Sequence, residues 1–89
     1  MKKTYKITLA EGLHARPTTL LVSVANKFQT EATITYKDKT VNLKSIMGVM
    51  SLAVAADSIV EISADGPDVE EMLNAVTEVM TSNGIGEEC

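Results

Sequence analysis

Tryptophan is absent from this chain of 89 residues, and Tyr5, Phe28 and Tyr36 are its whole aromatic complement. Net charge is −4, so the chain offers neither the basic surface nor the stacking rings of sequence-independent nucleic-acid binding. Cysteine occurs once, as Cys89, which excludes an intramolecular disulfide and any cysteine-built zinc site. Cys89 itself reads as an inert tail residue. Histidine also occurs once, as His14, and a lone imidazole without a cysteine cluster gives no reason to expect a metal. No apolar run approaches the ~20 residues that cross a bilayer, so no membrane insertion is expected. After Met1-Lys2-Lys3 the segment Thr4-Tyr5-Lys6-Ile7-Thr8 is too polar for the middle of a secretory signal, and a cytoplasmic protein is expected.

The charges that are present are unevenly placed. Lys2, Lys3, Lys6, Arg16 and Lys27 fall in the first third, whereas Glu70-Glu71 and Glu87-Glu88 come later. This asymmetry suits docking of the early segment on an acidic protein partner.

The apolar residues follow two periods. Tyr5, Ile7 and Leu9 alternate with polar neighbours as in a strand with one buried face. Pro17 opens a segment in which Leu20, Leu21, Val24, Ala25 and Phe28 share a helical stripe. Ala32, Ile34 and Tyr36 alternate again, Lys37-Asp38-Lys39 reads as a turn, and Val41 and Leu43 continue as the second arm of a hairpin. A short helix is expected from Ile46 to Ala53, then a strand through Val60, Ile62 and Ala64. Asp65-Gly66-Pro67-Asp68 breaks that strand and starts a longer helix with Val69, Met72, Leu73, Val76, Val79 and Met80 on one face, ended by Gly84.

The polar alternate positions leave one sheet face in water, which favours antiparallel pairing. The expected fold is therefore α+β. It is a two-layer open-faced sandwich, with a four-stranded, mainly antiparallel sheet and three helices on one face (βαββαβα), in a single domain spanning residues 1–89.

The segment Gly12-Leu13-His14-Ala15-Arg16-Pro17 joins the first strand to the first helix. An imidazole just ahead of a helix lies beside backbone N–H groups without intrahelical partners, and these with the helix dipole suit a phosphate. The same positive end keeps a ring nitrogen lone pair available as a nucleophile. Arg16 adds a guanidinium able to bond two phosphoryl oxygens at once, and Pro17 pre-sets the backbone of the first turn. A lone histidine at a helix start is more ordinarily a surface or capping residue, so on these residues alone both readings stand. A Ser/His/Asp hydrolase is disfavoured because no nucleophile elbow is present.

Gly12-Leu13-His14-Ala15-Arg16-Pro17 resembles the active-site motif of HPr, the histidine-containing phosphocarrier family of the phosphoenolpyruvate-dependent sugar phosphotransferase system. Val41-Asn42-Leu43-Lys44-Ser45-Ile46-Met47-Gly48-Val49-Met50-Ser51-Leu52 resembles the regulatory serine segment of HPr proteins from Gram-positive bacteria. The motifs come in the expected order, and the resemblance covers essentially the whole chain.

It implies that enzyme I phosphorylates His14, on Nδ1 in the family, and that the group passes to IIA domains of sugar permeases, with Arg16 steadying the moving charge. Such a chain is a carrier, not an independent enzyme, and needs no cofactor. The resemblance further implies that Ser45, at a natural N-cap, is the target of an HPr kinase/phosphorylase, and that the serine-phosphorylated form binds a catabolite control protein. Pro17, Thr18, Leu20, Ile46, Met47 and Met50 are the expected partner-binding residues of a monomer. By spacing alone, one of Met47 and Met50 could instead fill the core.

Four positions depart from the family's usual pattern. Glu11 stands where a small polar residue is common, and it puts a carboxylate close in sequence to His14. Thr18 replaces a common alanine, Ala53 a common glycine and Asp57 a common lysine. The alternative function is a regulatory, partner-binding homologue acting in carbon catabolite control without phosphoryl relay, which would not need His14 and Arg16 in this arrangement. A small-molecule-binding module on the same fold leaves both motifs unexplained.

Overall fold

Residues with two-residue apolar alternation form strands and those with helical spacing form helices, in a computed structural model that describes residues 1–89. The chain runs β1 (Lys2–Ile7), α1 (Ala15–Ala25), β2 (Glu31–Tyr36), β3 (Lys39–Asn42), α2 (Ile46–Ser51), β4 (Ile59–Asp65), α3 (Val69–Ser82) and β5 (Gly86–Glu88). Every strand pair is antiparallel, in the order β3-β2-β4-β1-β5.

The strands' inward positions meet the helices in one core. Tyr5, Ile7, Ile34, Val60 and Ile62 are sealed from solvent on the sheet side, and Leu21, Val49, Met72, Val76 and Met80 on the helix side. Each such aliphatic side chain stabilises the fold by roughly 1.5–3 kcal/mol. The Tyr5 hydroxyl shares a 2.8 Å hydrogen bond with Thr77, and burial pushes its phenol above the usual range. Lys2, Thr4, Lys6, Thr33, Thr35, Glu61 and Ser63 occupy the opposite, accessible face of the sheet.

The sheet has five strands rather than the expected four. Beyond Gly84, which takes the left-handed φ of 63° that ends α3, Ile85 turns into the core and residues 86–88 pair with β1. Gly-Glu-Glu carries no apolar alternation, so periodicity gives no sign of a strand there. Gly86 permits it: a Cβ at this position would lie 2.7 Å from the Lys6 carbonyl oxygen.

Two helix boundaries also differ. α1 begins at Ala15, which places Pro17 third in the helix, where its missing N–H is still one of those that lack an intrahelical acceptor. α2 stops at Ser51 because Ala53 turns into the left-handed region at φ 52°.

Asp68 precedes α3, as expected, but its carboxylate does not cap that helix. It accepts the backbone N–H of Gln29 (3.0 Å) and Thr30 (2.9 Å) and the Thr30 hydroxyl, and the Asp68 N–H donates back to that hydroxyl at 3.1 Å. The Thr30 hydroxyl, followed by these N–H groups, holds the carboxyl below the ordinary aspartate range. The clip ties the α1–β2 loop to the start of α3.

Candidate functional site

The loop after β1 is held by its own backbone. Gly12 takes φ 71°, and its N–H donates to the Leu9 carbonyl at 3.0 Å. Leu13, buried, donates its N–H to the Val54 carbonyl at 3.0 Å, which docks the loop on the segment after α2. A Cβ on Gly12 would lie 2.1 Å from that same Val54 oxygen, so no other residue fits this turn.

These constraints deliver His14 to the N-cap of α1 in an extended conformation (φ −79°, ψ −168°). The His14 carbonyl accepts the first helical hydrogen bond, from the Thr18 N–H at 3.2 Å. Its imidazole makes no cap bond, and the N–H groups of Ala15 and Arg16 have no acceptor within the protein. A half-buried ring therefore stands free beside two unused donors at the positive end of an eleven-residue helix.

His14, Arg16, Pro17 and Leu20 line one open depression, together with Leu9, Glu11, Ala15, Asn83 and Ile85. Arg16 and Glu11 are exposed, so their charges meet whatever enters. A nucleophilic ring nitrogen, a guanidinium and two free amides are a set of groups that can receive and steady a phosphoryl group. The structure assembles no group of three or more His, Cys, Asp or Glu positioned as metal ligands.

Ser45 lies outside this depression, at the N-cap of α2, and its hydroxyl accepts the Gly48 N–H at 3.0 Å. α2 packs against α1 and β3 and commits only Val49 to the core. Ile46, Met47 and Met50 are 43 %, 80 % and 38 % exposed, so neither methionine fills the core and the helix shows an apolar outer face. Lys44 anchors the approach to Ser45 by donating to the Phe28 carbonyl at 2.8 Å.

Thr18 contradicts its expected place on the partner-facing surface. It is fully buried, because its position on α1 points inward and its hydroxyl donates to the Leu13 carbonyl at 3.3 Å. Pro17 is also buried but still lines the depression. Leu9 is expected only as an inward strand position and Ala15 only as part of the motif, and nothing in the sequence singles out Asn83 and Ile85. Asn83 and Ile85 flank the glycine that ends α3, a visible helix stop, and the packing of α3 on α1 together with the pairing of β5 with β1 brings that stop beside His14.

A family model described as the PTS HPr component phosphorylation site matches residues 1–82. The chain belongs to the HPr family. Its structure is similar to the histidine-containing phosphocarrier protein of Mycoplasma at 38 % identity and TM-score 0.92, covering 96 % of this chain and 97 % of that one. It is also similar to the phosphocarrier protein HPr of Bacillus anthracis, at 43 % identity over 89 % of this chain and 94 % of that one, TM-score 0.82. The Bacillus subtilis catabolite repression protein Crh, described as a swapped, intertwined dimer, matches at 39 % identity over 86 % of this chain and 88 % of that one, TM-score 0.72. HPr proteins are phosphocarriers of the phosphotransferase system rather than enzymes, and no helix here is long and apolar enough to cross a membrane.

Proposed function

We propose that His14 accepts a phosphoryl group from enzyme I and passes it to IIA domains of sugar permeases. The observation that carries this reading is the free imidazole at the start of α1, beside unpartnered amides and within one depression with Arg16. In the first transfer a ring nitrogen lone pair attacks phosphorus. The N–P bond forms as the bond between phosphorus and enzyme I breaks. In the second the acceptor on the IIA domain attacks, and the imidazole leaves. Arg16 and the amides of Ala15 and Arg16 balance the charge on the phosphoryl oxygens in both directions, which is catalysis by position and electrostatics.

Ser45 is the regulatory site in this reading, a substrate of HPr kinase/phosphorylase. Ile46, Met47 and Met50, with Leu20, form the apolar docking face that partners share, and the phosphoserine form is the one that engages a catabolite control protein. The exposure of three apolar side chains on so short a helix supports a docking role, since soft methionine adapts to several surfaces. A dianion on Ser45 beside that face weakens docking on an acidic partner, so Ser45→Asp slows phosphorylation of His14, less so at high salt.

The deciding experiment is incubation with enzyme I and phosphoenolpyruvate, followed by intact mass measurement. An acid-labile phosphoryl adduct that His14→Ala abolishes is the expected result. No adduct, under conditions that charge a control carrier, defeats the reading. The similarity to Crh favours a second reading, a partner-binding regulator without relay, which predicts Ser45 phosphorylation but no adduct on His14.

A further inference from the structure

Glu11 is the one charged side chain of the His14 depression that the phosphocarrier reading leaves without a task. It is exposed on the rim, and none of the three ion pairs, Lys2–Glu61, Lys3–Glu88 and Lys44–Glu31, includes it or Arg16. The depression thus carries a positive device, made of Arg16 and the free amides of α1, opposed by one uncompensated carboxylate. Both act on the same occupant. A phosphoryl group on the ring brings about two negative charges to this rim, attracted by the first device and repelled by the second.

We propose that Glu11 sets the phosphoryl-transfer potential of His14, its carboxylate raising the free energy of the loaded carrier relative to the empty one. The inference rests on the carrier reading of His14. Repulsion between Glu11 and the phosphoryl group exists only in the loaded form, so it drains the loaded population and favours onward donation. Arg16 and the amides have the opposite sign of effect, and the balance between them fixes how readily the group leaves. Glu11 is a positioning charge in this scheme and makes no bond to phosphorus. A short contact that merely oriented the empty ring would also favour the empty form, but its effect would persist in high salt, whereas the repulsion described here is screened.

The test equilibrates the protein with enzyme I and a series of phosphoenolpyruvate-to-pyruvate ratios, reading the phosphorylated fraction by intact mass. In the forward direction the enol phosphate bond breaks, the N–P bond on His14 forms and pyruvate is released. The reverse direction restores phosphoenolpyruvate, so the ratio at half-loading reports the potential. Glu11→Gln and Glu11→Ser should both shift that ratio toward loading, by roughly two- to fivefold at low salt for charges some ~10 Å apart in a water-like medium. In about 1 M salt, where the screening length is ~3 Å, the shift should shrink toward none. Glu70→Gln, at the opposite end of α3 from Asn83, removes the same net charge and should leave the ratio unchanged.

An unchanged ratio in both Glu11 variants, a shift toward the empty form, or an equal shift in Glu70→Gln overturns the proposal while the carrier reading stands. A wild-type chain that never loads overturns both.

Discussion

The starts of α1 and α2 share a local geometry and differ in the bonds made there. Each helix follows an extended residue, His14 in one case and Ser45 in the other. The Ser45 hydroxyl is spent on the Gly48 N–H, whereas the His14 ring is bonded to no amide of its helix. The Ser45 side chain thus helps to hold its helix in the resting fold, and the His14 side chain does not. The start of α3 is a third case, since the Asp68 carboxylate leaves its own helix and clips Gln29 and Thr30. Position before a helix therefore does not assign a role. The bonds that a side chain makes or withholds do.

The comparison breaks most visibly at Gly12, which sets where His14 stands. Gly12→Ala places a methyl 2.1 Å from the Val54 carbonyl and forces a positive φ on an L-residue. A loss on the order of 3 kcal/mol is expected from strain and overpacking together, measured by urea unfolding. Preserved stability would mean that the loop and the segment after α2 are not locked to each other.

Asp68 comes next, with an effect that depends on pH. Its carboxyl is depressed by the Thr30 hydroxyl and by the Gln29 and Thr30 N–H groups, so the unfolded chain binds its proton more readily than the folded one. The stabilisation is fully present above the unfolded value of about 3.9 and is lost as pH falls through the lower folded value. Asp68→Asn should lower Tm at neutral pH and flatten the fall of Tm below about pH 4. An acid limb as steep as that of the wild type would show the clip to be energetically idle.

Ser45→Ala removes a single cap bond, which is worth about 1 kcal/mol and shifts Tm by roughly 4–8 °C in a domain of this size. At the other end of α2 the sign reverses. Ala53 has no glycine freedom at φ 52°, and Ala53→Gly should stabilise by about 0.5–1 kcal/mol, the left-handed penalty less glycine's entropy cost. The two ends of one short helix thus move stability in opposite directions under calorimetry.

These cases also mark how far the residues alone could be read. Four strands and three helices follow from the alternation of Tyr5, Ile7, Ile34 and Ile62 and the helical spacing of Met72, Val76 and Met80, because each pattern records one buried face. β5 leaves no such record, since its pairing depends on Gly86 approaching β1, a contact distant in sequence. His14, Arg16 and Ser45 were legible as motifs and as helix-start residues. Asn83 and Ile85 were not, because they join the depression through contacts distant in sequence, α3 on α1 and β5 on β1, that no local pattern records. Thr18 was placed on the partner-facing surface through the resemblance alone, and the phase of α1 turns it inward instead.

The smallest expected effect on stability belongs to the residue with the largest expected effect on function. His14→Ala deletes a side chain that makes no cap bond, and neither His nor Ala ranks among the favoured N-cap residues. The backbone contacts that fix the loop, from Leu13 to Val54 and from Thr18 to the His14 carbonyl, do not involve the ring. Unfolding in urea should therefore move by no more than about 0.5 kcal/mol, while phosphoryl loading disappears. A loss of stability near that of Ser45→Ala would mean that the imidazole does structural work after all, and the contrast between the two helix starts would fail. Equal stability with lost loading would establish that α1 holds its histidine in place through the backbone alone and leaves the ring free for the reaction.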